Sequence, residues 1–401
     1  MAGGDELLFN PLLPEFHADP YPFYKRLREK EPIHQSPLGF WVLTRYEDCV
    51  AVLRDQRFGR EEFQQMLTAV YGDETEKPAL PRSMLFRDPP DHTRLRALVS
   101  KAFTPRMIET MREHIQEIVD RLLDRVQDAG RMDVIEDLAY PLPVTVICEM
   151  LGVPVDDHGS IRGWSAEIAR SLDAIGLPSD EGIVERGRRS RRALADYFRR
   201  LVPERRARPQ NDLLSGLLAA EEQGDKLTPD EVIAMCLLLF IAGHETTVNL
   251  IGNGTLALLR HPEQLKKLRA EPSLIGNAVE ELLRYDSPVQ RTARITTTEV
   301  ELAGQPLAKG TMVITALGAA NRDPAQFADP DRLDVTRKDP RHISFGFGIH
   351  FCLGAPLARV EGQLALGTLL RRAPNLALAE SKLEWRESSV LRGLKRLNVT
   401  F

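Results

Sequence analysis

Apolar residues recur at three- and four-residue spacing through most of residues 91–261, most regularly over 107–123 and 144–151. That repeat puts them on one helix face, so the central half of the chain is predicted to be an α-helical block. Ahead of it, Trp41-Val-Leu-Thr44 has the aromatic and β-branched character of a strand, with 32–34 as its partner. Residues 293–314 are short Thr- and Val-containing runs broken by Gly304 and Gly310, and the tail 376–401 again reads as short strands between turns. Helix returns at about Leu353. The pattern predicts a mainly α chain with a smaller β-rich lobe, an α+β class. The lobe is drawn from about 30–60, 290–316 and 375–401, and the helices from about 90–290 and 350–372. No repeat, low-complexity tract or linker divides the sequence, so one domain over 1–401 is expected.

One helix stands apart. Thr228-Pro-Asp-Glu231 is a capping box with proline at the first helical position, and no proline follows until Pro262. About 32 residues at ~1.5 Å each make a rod of roughly 48 Å. Residues 235–242 are apolar on every side, which predicts burial. Into that stretch the sequence inserts Gly243-His-Glu-Thr-Thr247, poor helix formers in the middle of a helix. Two readings stand: a packing glycine with hydroxyls bonded back to the preceding turn, or a locally opened helix that presents Glu245 and Thr246 to a buried reaction.

Composition narrows the setting. The 401 residues are 43% hydrophobic and 28% charged, enough for a large core, and the net charge of −5 argues against nonspecific nucleic-acid binding. Cys49, Cys148, Cys236 and Cys352 are too scattered for a zinc site or a disulfide framework. The N-terminus lacks the basic-then-apolar order of a signal peptide, and the longest apolar run, 233–242, is half the ~20 residues of a membrane span. A cytoplasmic protein with no membrane insertion is expected.

The most constrained segment is Phe345-Gly-Phe-Gly-Ile-His-Phe-Cys-Leu-Gly354, just ahead of an apolar helix. Glycines permit tight turns, and a loop at a helix start aims backbone N–H groups at the sulfur, which favours thiolate; such a cysteine is a nucleophile or a metal ligand. The order Phe-Gly-x-Gly-x-His-x-Cys-x-Gly resembles the haem-ligand loop of the cytochrome P-450 family at every position. Three further segments resemble that family in its own order. Ala242-Gly-His-Glu-Thr246 is similar to its oxygen-activation motif, and Glu281-Leu-Leu-Arg284 to its ExxR pair, which Arg332 of Asp331-Arg332 would complete as a triad. His92-Thr-Arg-Leu-Arg96 is similar to its propionate-binding pattern, together with Arg294 and His350.

The resemblance implies a prism-shaped fold with haem b between the long helix and the cysteine loop, and with Cys352 as iron ligand. Phe345, Gly346, Ala242 and Gly243 would lie against the cofactor, while Glu245 and Thr246 would deliver protons during oxygen activation. The implied reaction is hydroxylation or epoxidation of a lipophilic substrate, of macrolide, terpenoid, fatty-acid or xenobiotic class. Apolar candidates for its pocket are Met66, Leu67, Val70, Met84, Leu85, Phe86, Leu239, Ala242, Val289 and Leu391. The chain has neither a dinucleotide motif nor an iron–sulfur cluster, so a ferredoxin or flavodoxin with its NAD(P)H-dependent reductase is the expected electron source. Arg94, Lys101, Arg106, Arg112 and Arg359 are candidates for a basic docking face, and a monomer is expected. A peroxygenase or isomerase on the same fold, a haem sensor and a cysteine hydrolase are the competing classes; the Glu245-Thr246 pair speaks against the first.

Overall fold

The computed structural model describes residues 9–63, 83–174, 180–222 and 224–401. Its main strands are β1 (Ile33–Gln35), β2 (Trp41–Leu43), β3 (Phe58–Gly59), β4 (Arg131–Asp133), β5 (Thr292–Thr296), β6 (Met312–Thr315), β7 (Ala377–Leu378) and β8 (Asn398–Thr400). One sheet runs β1-β2-β6-β5-β3 and a second β7-β8-β4. β2 pairs antiparallel with β1, as its sequence suggests, and parallel with β6. The strand β4, inside the stretch read as helical, is a difference: it pairs with the tail strand β8, and tertiary pairing there overrides the local pattern.

The helices that build the interior are α1 (Asp91–Ala102), α2 (Arg112–Asp124), α3 (Pro141–Met150), α4 (His158–Arg170), α5 (Glu181–Ala207), α6 (Pro229–Arg260), α7 (Ile275–Tyr285) and α8 (Ala355–Arg372). At the start of α6, Thr228 Oγ1 accepts from the Glu231 N–H while the Glu231 carboxylate accepts from the Thr228 N–H. By length and composition α6 could cross a membrane. It is instead the core of the helical block, covered by α3, α4, α5, α7 and α8. Leu250, Ile251 and Leu258 are almost wholly buried, and each contributes about 1.5–3 kcal/mol through that burial. The helix runs unbroken through 243–247. The opened-helix reading is therefore corrected: Thr246 and Thr247 donate to the carbonyls of Ala242 and Gly243, at 2.9 and 3.3 Å, and the backbone stays helical.

A buried ion network ties α7 to the segment ahead of the cysteine. Arg284 donates to both oxygens of Glu281, at 2.7 and 2.9 Å, and to the carbonyls of Asn321, Pro330 and Arg332. The third member is Arg337, whose Nε lies 3.1–3.2 Å from both Glu281 oxygens. The expectation for Arg332 is thus wrong. It contributes its carbonyl, while its side chain is 60% exposed beside Asp329 and Asp334. The turn after Asp329 carries the chain round so that the guanidinium five residues later is the one facing inward.

Glu281→Gln, which leaves Arg284 buried without its partner charge, is expected to cost about 3–5 kcal/mol in denaturant unfolding. Arg337→Ala should cost about 1.5–3 kcal/mol. Arg332→Ala should stay within about 0.5 kcal/mol; equal losses for the two arginines would refute this assignment.

Candidate active site

The cysteine loop is shaped before its helix begins. Gly346 and Gly348 have φ of 72° and 71°, and a Cβ on Gly348 would stand 2.4 Å from the Leu53 carbonyl oxygen, so this approach requires glycine. The Cys352 N–H donates to the Phe345 carbonyl at 2.9 Å, closing the loop. Upstream, Ser344 Oγ donates to the Leu283 carbonyl, and Asn321 donates to Ser287 and Ser344. From the two sides of the loop, His342 ahead of it and Arg359 after it converge on Glu280 of α7. Burial opposes the Glu280 charge, but these two donors pull its pKa down to about 2.

The sulfur of Cys352 faces a cavity whose opposite wall is α6, through Leu239, Ala242, Gly243, Thr246 and Thr247. Burial raises the thiol pKa and outweighs the N–H groups of Gly354 and Ala355 and the charge of Arg96. A metal cation against the sulfur would offset that burial. On the α6 wall, a Cβ at Gly243 would meet only Ile147, at 3.6 Å. Protein packing alone does not demand this glycine.

Along one side of the cavity stand His92, Arg96, Arg294 and His350, the four groups expected from the sequence, and also Arg60. The His92 and His350 rings lie 4.3 Å apart. Burial lowers Arg60 to about 10 and Arg294 well below its usual value, and it lowers Arg96 and His92 as well. Burial, with Arg60, Arg294, His92 and Arg96 around it, holds His350 at about 2. Asp88 is the carboxylate that acts on this group, but its oxygens already accept from the backbone N–H groups of Arg60 and Glu61. Gly59 makes that possible, since a Cβ there would lie 2.5 Å from Asp88 Oδ2. The cluster is short of negative charge, and buried guanidinium groups are stabilised by charge-assisted bonds to carboxylates. A flat group with two carboxylates on one edge and a metal cation above Cys352 meets both needs, so these residues fit a haem.

The remaining expected residues divide. Phe345, Gly346, Met84, Leu85 and Val289 line the cavity. Phe86 does not; it packs on the separate apolar cluster containing Phe63. Leu391 does not line it either, lying behind Val289 in a backbone bridge. Met66, Leu67 and Val70 fall outside the described residues. Glu245 is turned away from the cavity: Arg386 donates to its Oε2 at 2.7 Å, and His244 lies 3.6 Å from Oε1. Burial pushes its pKa up, but His244 and Arg386 prevail and hold it below the ordinary value. The proposed basic face is also largely neutralised, since Arg94 bonds Asp225 and Glu231, Arg112 bonds Glu109, and Arg359 bonds Glu280.

Glu361 on α8 had no signal in the sequence beyond being a carboxylate in an apolar helix. It is 1% exposed, neither of its carboxylate oxygens has a hydrogen-bond partner, and burial raises its pKa to about 8 despite the nearby Thr247 hydroxyl, which lowers it. A neutral folded carboxyl binds a proton that the unfolded chain releases above its ordinary value, so rising pH favours unfolding. In the haem-free protein, Glu361→Gln should gain stability relative to the parent by about 1.4 kcal/mol per unit as pH rises from about 5 to about 8. Parallel pH profiles would contradict the buried, neutral state.

A family model described as Cytochrome P450 matches residues 9–375. Polyketide biosynthesis cytochrome P450 PksS of Bacillus subtilis (strain 168) is 42% identical, over 99% of this chain and 99% of its own. The crystal structure of P450BioI in complex with hexadec-9Z-enoic acid ligated acyl carrier protein matches with a TM-score of 0.87 at 42% identity, covering 96% of this chain and 99% of that one. Myxobacterial CYP267B1 in complex with myristic acid matches with a TM-score of 0.89 at 44% identity, covering 97% and 98%. Fold, cysteine loop and sequence agree along nearly the whole length: the chain belongs to the cytochrome P450 family and is a haem-binding oxidoreductase.

Proposed function

We propose that this chain is a monooxygenase that hydroxylates unactivated carbon along an aliphatic acyl chain, of fatty-acid or polyketide type. The observation that carries this reading is the cavity itself: above Thr246 its described lining is aliphatic and aromatic, with Met84, Leu85, Phe103, Ile147, Leu238 and Leu239, and its cationic side is taken up by the cluster that suits the cofactor's carboxylates. A substrate there is recognised by shape and burial. Relatives solved with hexadec-9Z-enoic acid on a carrier protein and with myristic acid support the acyl class.

When bound, haem supplies the oxygen-activating chemistry, with the thiolate ligand favouring cleavage of the O–O bond. The chain's part is binding and protons. Arg60, His92, Arg96, Arg294 and His350 hold the carboxylates, and Cys352 is the ligand. Thr246 is a hydroxyl on the α6 wall; at rest it donates to Ala242, and rotation about its Cα–Cβ bond redirects the proton into the cavity. Glu245 communicates with solvent through Arg386, which is 29% exposed, and reaches the cavity only by leaving that pair. Electrons come from a separate ferredoxin or flavodoxin with its NAD(P)H-dependent reductase. Its docking site is centred on the exposed Ile349 and Phe351 of the cysteine loop, since the arginines first considered are mostly paired. The working setting is a cytoplasmic monomer of one domain.

With a surrogate ferredoxin system and labelled dioxygen, the haem-loaded protein should place one labelled oxygen in a hydroxylated C14–C16 fatty acid. Products carrying oxygen from water, or reductant consumption unaffected by every acyl chain tried, would contradict the proposal. Thr246→Ala should retain haem while its proton-assisted step slows by on the order of 10² and reductant drains to peroxide; unchanged coupling would remove Thr246 from the relay.

A further inference from the structure

The helix α5 is out of character with the chain that contains it. Between Glu181 and Arg208 stand ten arginines, no lysine and four carboxylates, in a protein whose net charge is −5. Its inner face is accounted for by Gly187, Ser190, Leu194, Ala195, Phe198 and Leu201, all buried. Arg186, Arg189, Arg192, Arg200, Arg206 and Arg208 are exposed on the outside. Some of the charge is answered locally, Arg186 by Glu167, Arg188 by Glu185 and Arg199 by Asp196. Among the described residues, Arg189, Arg200, Arg206 and Arg208 have no carboxylate partner. Like charges three residues apart, as in Arg189 with Arg192, weaken a helix.

The position of this stripe relative to the cavity adds a second observation. The short helical turn Ser171–Ala174 packs on α5, where a Cβ on Gly187 would lie 2.5 Å from Ser171, and its Asp173 accepts from the N–H and hydroxyl of Ser389 and lies 3.8 Å from Arg291, which also donates to Ser389. Arg291 is adjacent in sequence to Thr292, which lines the cavity. At ~1.5 Å per residue, Arg186 to Arg192 stand roughly 9–18 Å along α5 from its cap at Asp180. A flexible arm carried by a partner on this stripe would reach toward the Thr292 side of the cavity. Such a partner is also on the wrong side to donate electrons, because α5 packs on α4 and α6, and α6 separates it from Cys352.

We propose that the outer face of α5 docks an acidic acyl carrier protein, which presents its acyl chain to the cavity as a phosphopantetheine thioester. This rests on the acyl-chain reading above. Charge complementarity favours a carrier, since its acidic surface and its phosphodiester both match exposed guanidinium groups. A membrane-binding helix requires a whole apolar face, whereas among the described residues the exposed large hydrophobic beside α5 is the single side chain Val155, two residues from the Asp157 that accepts from Tyr197. The chain's overall negative charge disfavours nucleic acid.

The test uses the full haem-loaded chain and a bacterial acyl carrier protein charged with a hexadecanoyl thioester. Affinity is followed by fluorescence anisotropy, and free hexadecanoate binding by the spin-state change of the haem. Arg189→Glu with Arg200→Glu is expected to weaken carrier binding about tenfold or more, an effect that shrinks as salt rises from about 0.05 to about 0.3 M, and to leave hexadecanoate binding and ferredoxin-driven reduction unchanged. The milder pair Arg189→Gln with Arg200→Gln, which keeps good helix formers, should give a smaller loss in the same direction. Unchanged carrier affinity in both variants would overturn the proposal. So would a parallel loss of ferredoxin-driven reduction, or charge-dependent binding to anionic vesicles or duplex DNA that exceeds binding to the carrier. Failure of the acyl-chain reading looks different: the carrier binds through α5, yet neither free nor tethered hexadecanoate perturbs the haem.

Discussion

Everything at the centre of this molecule answers to one electrostatic problem: three guanidinium groups and two imidazoles are gathered in the interior beside a buried sulfur, and among the described residues Asp88 is the carboxylate that acts on them. Arg60, Arg96 and Arg294 are all pulled below their ordinary pKa, and so is His350 among them. A protein interior tolerates such a group when a bound partner completes it. The cysteine poses the opposite demand, a thiol whose ionisation burial opposes. One cofactor with a metal cation and two carboxylates satisfies both, which makes the site a consequence of charge balance as well as of shape.

The rest of the fold holds that unbalanced interior in place. In the network of Glu281, Arg284 and Arg337 both guanidinium groups bond the same carboxylate and the neighbouring carbonyls, and it fixes the segment from which the cysteine loop departs. Glu280 then clamps the loop from both ends through His342 and Arg359. Opposite, α6 gives a rigid wall because its threonine hydroxyls bond back into their own helix rather than breaking it. The two walls are built from different physics, ionic on the cysteine side and apolar on the helix side. The cavity between them inherits a polar edge and a greasy roof.

Much of this was legible in the sequence where the signal is local. The capping box of α6, its span, the strands near 41 and 293–314, and the glycine-bounded cysteine all depend on residues a few positions apart. What the sequence concealed depends on how the chain turns back. Arg332 and Arg337 are equivalent as letters, and only the turn after Asp329 decides which guanidinium faces Glu281. Arg60 follows a short edge strand with no motif of its own, and it reaches the cation cluster because that strand pairs with β5. Glu245 was read as facing the reaction because it neighbours Thr246, but adjacent positions on a helix point about 100° apart. Arg386, far away in the tail, claims it instead.

The central claim is that Cys352 ligates the iron of a haem held by the cation cluster. The most direct measurement is the absorption difference spectrum of the dithionite-reduced, haem-loaded protein on adding carbon monoxide, recorded for the parent and for Cys352→Ala. The account predicts the red-shifted Soret band of thiolate-ligated iron in the parent and its absence in the variant. The same band in Cys352→Ala, or a folded parent that takes up no haem, would contradict it.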